Sequence, residues 1–310
     1  MNESALEQLA ARILRYVTEP PRGDHDVVEL ADPGGLRTAF AASVGLDLES
    51  PEPAHGADAL DRAAATVIDY SVHTSHPRFL NQNFAGPDPI AVVGDWMGAA
   101  LNTTNATYEV APVFTAMERT VLRKLATVAG IAHDPADEAA PPGLFCAGGS
   151  LATQHALQLA RHRHEPDRER RGDRTARPVV FVTDAGHYST AKSAAMLGLG
   201  TDAVVEVPST PDGAMRPTDL AEVVAAAVRE GRTPLAVVVT AGTTVTAAFD
   251  PLVPIADICE AHGLWLHVDG CYGGSALFSS RHRSRLDGVG RADSFVWNLH
   301  KMMGMTQQCT

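Results

Sequence analysis

Residues 294–310 read S-F-V-W-N-L-H-K-M-M-G-M-T-Q-Q-C-T, and the fold follows from how that stretch is read. Residues 294–297 are bulky and apolar, the pattern of a short buried strand. The strand runs directly into Asn298, Leu299, His300 and Lys301. Open α/β sheets hold their ligands outside the carboxyl ends of their strands, which is where Lys301 then stands. Of the 25 basic residues only Lys124, Lys192 and Lys301 are lysines. Amine chemistry on a carbonyl needs lysine, because arginine stays protonated. Lys124 lies in the helical pattern E-R-T-V-L-R-K-L, and Lys192 follows His187 on another expected helix. Position alone leaves Lys301 open between a catalytic amine and a surface lysine in a turn.

The residues upstream alternate strand and helix from 143 onward. Residues 143–146 read as a short strand that ends in Ala147-Gly148-Gly149-Ser150, a glycine turn opening the helix L-A-T-Q-H-A-L-Q-L-A. Free backbone N–H groups and the helix dipole make such a turn a phosphate site, although Gly-Gly-Ser also occurs in plain turns. Residues 179–183 form the next strand, which delivers His187. Further strands are expected at 203–207, at 235–240 leading to Thr243, and at 264–268 ending at Asp269. The run 235–240 is almost wholly apolar, as in a sheet covered on both faces. A helix over 217–230 and another from a cap at Asp250 to Gly263 lie between these strands. A parallel sheet brings Ser150, His187, Thr243, Asp269 and Lys301 to one edge. A lone His or Asp in a loop is usually structural, but a set of such groups at successive strand ends is harder to explain that way.

Upstream of 143 the pattern is helical and irregular. An amphipathic helix covers about 5–17, a proline- and glycine-rich stretch from 19 to 56 reads as irregular, and a second helix covers about 57–72. Residues 1–75 are expected to form a helical segment that packs on a partner subunit, and 76–310 the ligand-binding domain. Asn81 and Gln82 sit in a turn-rich segment, where they line a pocket or satisfy loop backbone. A long helix is expected over 112–129.

Composition excludes several classes. The net charge is −12, and the most arginine-rich stretch, 161–177, is interrupted by acids, so it is no nucleic-acid patch. No apolar run reaches membrane-spanning length. The 4 cysteines show no paired spacing and the 13 histidines no metal-binding motif, so no metal and a reduced, cytoplasmic setting are expected.

The combination of a lysine, a glycine-rich helix start, a carboxylate and a histidine fits pyridoxal 5′-phosphate. With the runs H-P-R-F and N-Q, T-Y-E-V-A-P-V-F, H-Y-S, T-A-G-T-T-V, L-W-L-H-V-D and N-x-H-K-M-M-G, the chain resembles the group II pyridoxal phosphate-dependent amino acid decarboxylases. Within them it is most similar to the glutamate and cysteine sulfinate enzymes. The resemblance implies an aspartate-aminotransferase-like (fold type I) α/β large domain with a mostly parallel sheet of the seven-stranded type. It implies Lys301 as the Schiff-base lysine, Asp269 as partner of the pyridinium nitrogen and His187 stacked on the ring. Gly148, Gly149, Ser150, Asn298 and His300 would surround the phosphate, Thr243 would lie near the ring substituents, and Asn81 and Gln82 would face the substrate side chain. The implied reaction is loss of CO2 from an acidic L-amino acid of glutamate, aspartate or cysteine sulfinate type. Oxidative deamination, carbon–carbon bond formation and a non-catalytic scaffold role are the alternatives.

Two departures stand out. Gly270 removes a methyl group expected beneath the ring, and Leu299 replaces a proline common between Asn and His. The larger departure is length, since family chains continue well past the lysine. The part beyond it would hold the last strand of the sheet, inserted beside the first, and the small C-terminal domain. It would also hold an arginine for the substrate α-carboxylate and a mobile proton-delivering loop. A second polypeptide supplying that half, in a dimer of such pairs, is the expectation set against a gene fragment.

Overall fold

The computed structural model describes residues 3–19, 26–44, 56–134, 141–172 and 176–310. They form two compact units, Met1–Met97 with Gly304–Thr306 and Gly98–Met303 with Gln307–Thr310. Compactness places the boundary after Met97, downstream of the one expected after residue 75.

The first unit is helical. It holds α1 (Glu3–Thr18), α2 (Pro33–Val44), α3 (Gly56–Asp69) and most of α4 (Pro89–Leu101). Arg12 on α1 and Asp61 on α3 form a two-pronged ion pair at 2.9 and 2.7 Å. Helix α2 lies in the stretch expected to be irregular. Its start carries Pro33, Gly34 and Gly35, which read as breakers, yet the Asp32 carboxylate accepts the N–H groups of Gly34 and Gly35 at 2.7 and 3.0 Å. That capping satisfies first-turn donors and lets the helix begin.

The second unit is a parallel α/β sandwich. Helix α5 (Pro112–Ala129) leads to α6 (Gly149–His164), the single turn α7 (Arg168–Arg171), β1 (Pro178–Thr183) and α8 (Ser189–Met196). After these come β2 (Val204–Val207), α9 (Pro217–Arg229), β3 (Thr233–Thr240), α10 (Leu252–His262), β4 (Trp265–Asp269), β5 (Ser294–Val296) and α11 (Leu299–Met302). The sheet order is β2-β1-β3-β4-β5, with all pairs parallel. Side chains alternate across it, as a two-residue period requires. Val179, Phe181, Val237 and Val239 face one way with Leu220 and Val224 of α9 and Ile255 of α10. Val180, Val182, Ala236 and Val238 face the other way with Leu157 and Ala160 of α6. Helices therefore cover both faces, which explains the continuous apolar strands.

Residues 143–146, expected as a strand, have no ladder partner. Instead the Phe145 N–H donates to the Glu118 carboxylate at 3.1 Å and the Cys146 N–H to the Thr310 carbonyl at 2.7 Å. A strand exists only as part of a ladder, and β5, the nearer edge of the sheet, lies across a groove from this segment. Asp250 also departs from its expected part. Pro251 precedes α10, and the buried Asp250 carboxylate accepts the N–H groups of Met215 at 2.7 Å and Thr240 at 2.6 Å. It ties β3 to the segment before α9 instead of capping a helix.

Candidate active site

Parallel pairing levels the strand ends: Thr240 of β3 stands beside Asp269 of β4, and Asp269 beside Val296 of β5. The first turn of α6 and the segment after β1 complete the edge. Between them lies a cavity of about 190 Å³ lined by Gly149, Ser150, His187, Asp269, Asn298 and Lys301. All six are residues expected from the sequence. Thr240, Gly242, Ser189, Thr244, Cys271 and Tyr272 also line it and were not expected.

Asp269 ends β4 and is 6% exposed. Its Oδ1 accepts the Cys271 N–H at 3.0 Å and its backbone carbonyl accepts the Ala241 N–H at 2.8 Å. A carboxylate held this far from water needs a cationic or hydrogen-bonding partner, and the cavity is the open side on which one can sit.

His187 follows β1 through a tight turn in which the Gly186 N–H donates to the Thr183 carbonyl at 2.8 Å. A Cβ at Gly186 would lie 2.9 Å from that same oxygen, so only glycine makes the turn. The Ser189 N–H donates to His187 Nδ1 at 3.2 Å, which leaves the proton of the neutral ring on Nε2. Burial lowers the His187 pKa, and Lys301 and Lys192 push it the same way against Asp269. A neutral ring at physiological pH follows.

One end of the cavity is built from α6 and a network behind Asn298. Gly148 stands before α6 at φ 93°, a left-handed value suited to glycine, and no side chain caps the helix. The Leu151 N–H turns back to the Gly148 carbonyl at 3.1 Å, and the N–H groups of Gly149 and Ser150 are left to a ligand. Asn298 is 4% exposed, and its Oδ1 accepts the Thr310 hydroxyl at 3.0 Å. His300 Nδ1 donates to the Cys309 carbonyl at 2.9 Å, so its Nε2 is left to accept from Asn298 Nδ2 at 3.4 Å. The amide is oriented from both sides. His300 itself stands behind Asn298 and is absent from the cavity lining. Burial lowers its pKa, which keeps it in that neutral tautomer.

Of the other expected residues, Gly148 precedes the lining residues without joining them. Thr243 is buried, with its hydroxyl on Thr246 Oγ1 at 2.8 Å and accepting the Ala248 N–H at 3.0 Å, and Thr244 lines the cavity instead. Asn81 and Gln82 belong to the first unit, in a bend, and are exposed. Lys301 lies on α11, the turn that follows β5 after Trp297 and Asn298, and its N–H donates to the Asn298 carbonyl at 3.2 Å.

The fold is that of a fold type I pyridoxal phosphate large domain, as the solved structures it resembles show. A model of the pyridoxal-dependent decarboxylase conserved domain matches residues 41–310, and the chain belongs to that family. Human cysteine sulfinic acid decarboxylase is 47% identical over 266 residues, covering 86% of this chain and 52% of the relative. Bovine acidic amino acid decarboxylase GADL1 is 44% identical over 265 residues, covering 85% and 50%. The crystal structure of mouse CSAD in apo form superimposes with a TM-score of 0.91 at 41% identity, over 99% of this chain and 63% of that one. The glutamate decarboxylase domain of a Vibrio parahaemolyticus protein gives a TM-score of 0.86 at 31% identity, over 99% and 64%. The chain spans about half the length of the curated relatives it matches. Pyridoxal 5′-phosphate is the cofactor that goes with the family, and the residues present suit it: an amine, a buried carboxylate, a neutral ring and an uncapped helix start on one cavity.

Proposed function

We propose that this chain is the cofactor-binding part of a carboxy-lyase that removes CO2 from an acidic L-amino acid of glutamate, aspartate or cysteine sulfinate type. The observation that carries the reading is the meeting of Lys301, Asp269, His187, Asn298 and the start of α6 on one cavity. When bound there, pyridoxal phosphate supplies the electron sink for the breaking bond. Lys301 would anchor it through its amine, and Asp269 would hold a proton on the pyridine nitrogen. His187 would offer the ring a neutral plane, and the Ser150 side chain, Asn298 and the N–H groups of Gly149 and Ser150 would hold the phosphate. Asn81 and Gln82 are assigned to the acidic side chain of the substrate on the strength of their motif. The similarity to a cysteine sulfinic acid decarboxylase and to an acidic amino acid decarboxylase supports that substrate class.

The same reading assigns the remaining half of the fold to a second polypeptide, in a cytoplasmic dimer of such pairs with residues 1–75 packed on the partner. A groove of about 260 Å³ in the larger unit, walled by residues 143–146 and 294–297 and floored by Leu122, Leu125 and Leu159, is the place for a strand from that half. Cys309 and Thr310 bridge its walls at one end, by the Leu299 N–H to the Cys309 carbonyl at 3.0 Å and the Cys146 N–H to the Thr310 carbonyl at 2.7 Å. A strand laid along the groove pairs with β5 and shields both walls. The 4 cysteines are free thiols, in keeping with a reducing compartment. Among the described residues no helix is long and apolar enough to cross a membrane.

The test is release of labelled CO2 from glutamate, aspartate and cysteine sulfinate by the chain alone and with candidate second polypeptides. Activity that appears only on mixing supports both parts of the reading. Full activity of the chain alone removes the second polypeptide, and no release under any condition removes the decarboxylase.

A further inference from the structure

The run Asp269-Gly270-Cys271 leaves β4 and folds back over its own carboxylate. The Cys271 N–H donates to Asp269 Oδ1 at 3.0 Å. Its side chain lines the same cavity as Gly149, Asp269, Asn298 and Lys301, and the residue is 9% exposed. A Cβ placed on Gly149 would overlap the Cys271 sulfur and lie 3.1 and 3.2 Å from Asn298 Oδ1 and Nδ2. The sulfur therefore fills the space over the first turn of α6 that any other residue at 149 would occupy. It is wedged between that turn and the Asp269 carboxylate. Burial raises the thiol pKa well above its ordinary value, the Asp269 charge and the hydrogen bond to Asp269 act in the same direction, and Lys301 opposes them. The group in the cavity is thus S–H, a form able to donate to the neighbouring carboxylate.

We propose that Cys271 is a positioning residue of the cofactor site: its N–H and thiol hold the Asp269 carboxylate in place, and its sulfur sets the spacing between that carboxylate and the first turn of α6. The proposal rests on the reading in which Asp269 faces the pyridine nitrogen and α6 the phosphate. A rigid ring with a short phosphate arm engages both ends at once only when they stand at one separation. Fixing that separation before binding removes an ordering cost from the association. A thiol meets both needs at this position. Its sulfur is large enough to rest on the bare Cα of Gly149, and its proton reaches the carboxylate.

The experiment compares native chain, Cys271→Ala, Cys271→Val and Cys271→Ser in absorbance titrations with pyridoxal phosphate, and follows thiol alkylation of the native chain by peptide mass. The expected result is about tenfold weaker binding for Ala and for Val, which lack the donor. Ser, which keeps a donor, stays within about threefold of native. In the native chain, bound cofactor slows alkylation of Cys271 severalfold and leaves Cys146 and Cys309 unchanged. Binding by Val equal to native, with Ser as weak as Ala, would reduce Cys271 to a space-filler and overturn the proposal. So would alkylation of Cys271 at one rate with and without a bound cofactor, a measurement that needs no variant to fold. Absence of any cofactor spectrum in the native chain overturns the functional reading on which the proposal stands.

Discussion

Gly270→Ala is expected to destabilise the large unit through one contact. A Cβ at that position would overlap the Phe295 ring edge at Cε2 and lie 3.0 Å from Cζ and 3.1 Å from the Val296 carbonyl oxygen. Relief requires the ring to retreat by on the order of an ångström, and a neighbouring aromatic, itself backed by another, resists that. Trp297 lies 5.8 Å away between centroids, with Phe278 5.3 Å beyond it. Overpacking of this kind costs about 1–3 kcal/mol. Phe295→Val alone loses buried ring surface and costs about as much, by cavity formation. In the double variant the smaller side chain accommodates the added methyl, so the two costs do not add. The predicted coupling is about 1 kcal/mol or more in favour of the pair. Urea unfolding followed by tryptophan fluorescence reads it directly, since Trp297 packs on Phe295. Strict additivity of the two single variants would refute the reasoning and return Gly270 to a role beneath the cofactor ring.

Two buried groups give opposite pH signatures. Burial raises Asp250 from 3.8 to about 6, so the folded chain holds its proton more tightly than the unfolded one, and stability falls as pH rises through that window. Burial lowers His267 from 6.5 to about 4, so stability falls as pH drops through its window. Each is worth about 3 kcal/mol across its range, and the two offset between about pH 4 and 6. Relative to the native chain, Asp250→Asn is therefore expected to lose stability on acidification and His267→Gln to gain it, in urea midpoints measured from pH 4 to 7. Thr310→Val removes the hydroxyl that orients Asn298. Losing about 1 kcal/mol of hydrogen bonding should weaken pyridoxal phosphate binding roughly fivefold, with little change in unfolding midpoint.

The strand ends were legible in the sequence because each apolar run stops at a polar residue that has no core to enter. Asp269 after L-H-V, His187 after the β1 run and Lys301 after β5 all fall on the lining of one cavity. Cys271 was not legible as a lining residue, since nothing local distinguishes a thiol facing a cavity from one facing the core. Its surroundings come from Gly149 and Asn298, which are distant in sequence. Thr243 and Thr244 could not be separated for a similar reason. The hydroxyl of Thr243 is taken by Thr246 within its own loop, a choice set by the turn and not by residue type. The absent ladder at 143–146 and the helix α2 fail in opposite ways. The first has strand composition but no neighbour to pair with. The second has breaker composition but an aspartate that accepts two of its N–H groups. Gly270 looked like a defect beside a cofactor because Phe295, the ring that requires it, lies on another strand.

The central claim is that Lys301 is the amine of the cofactor site. The direct measurement is borohydride reduction of the chain with pyridoxal phosphate, followed by peptide mass analysis, beside Lys301→Ala. The account predicts one cofactor mass on the peptide holding Lys301, none on those holding Lys124 or Lys192, and none in the variant. Labelling spread over the three lysines, or unchanged labelling when Lys301 is replaced, would contradict it.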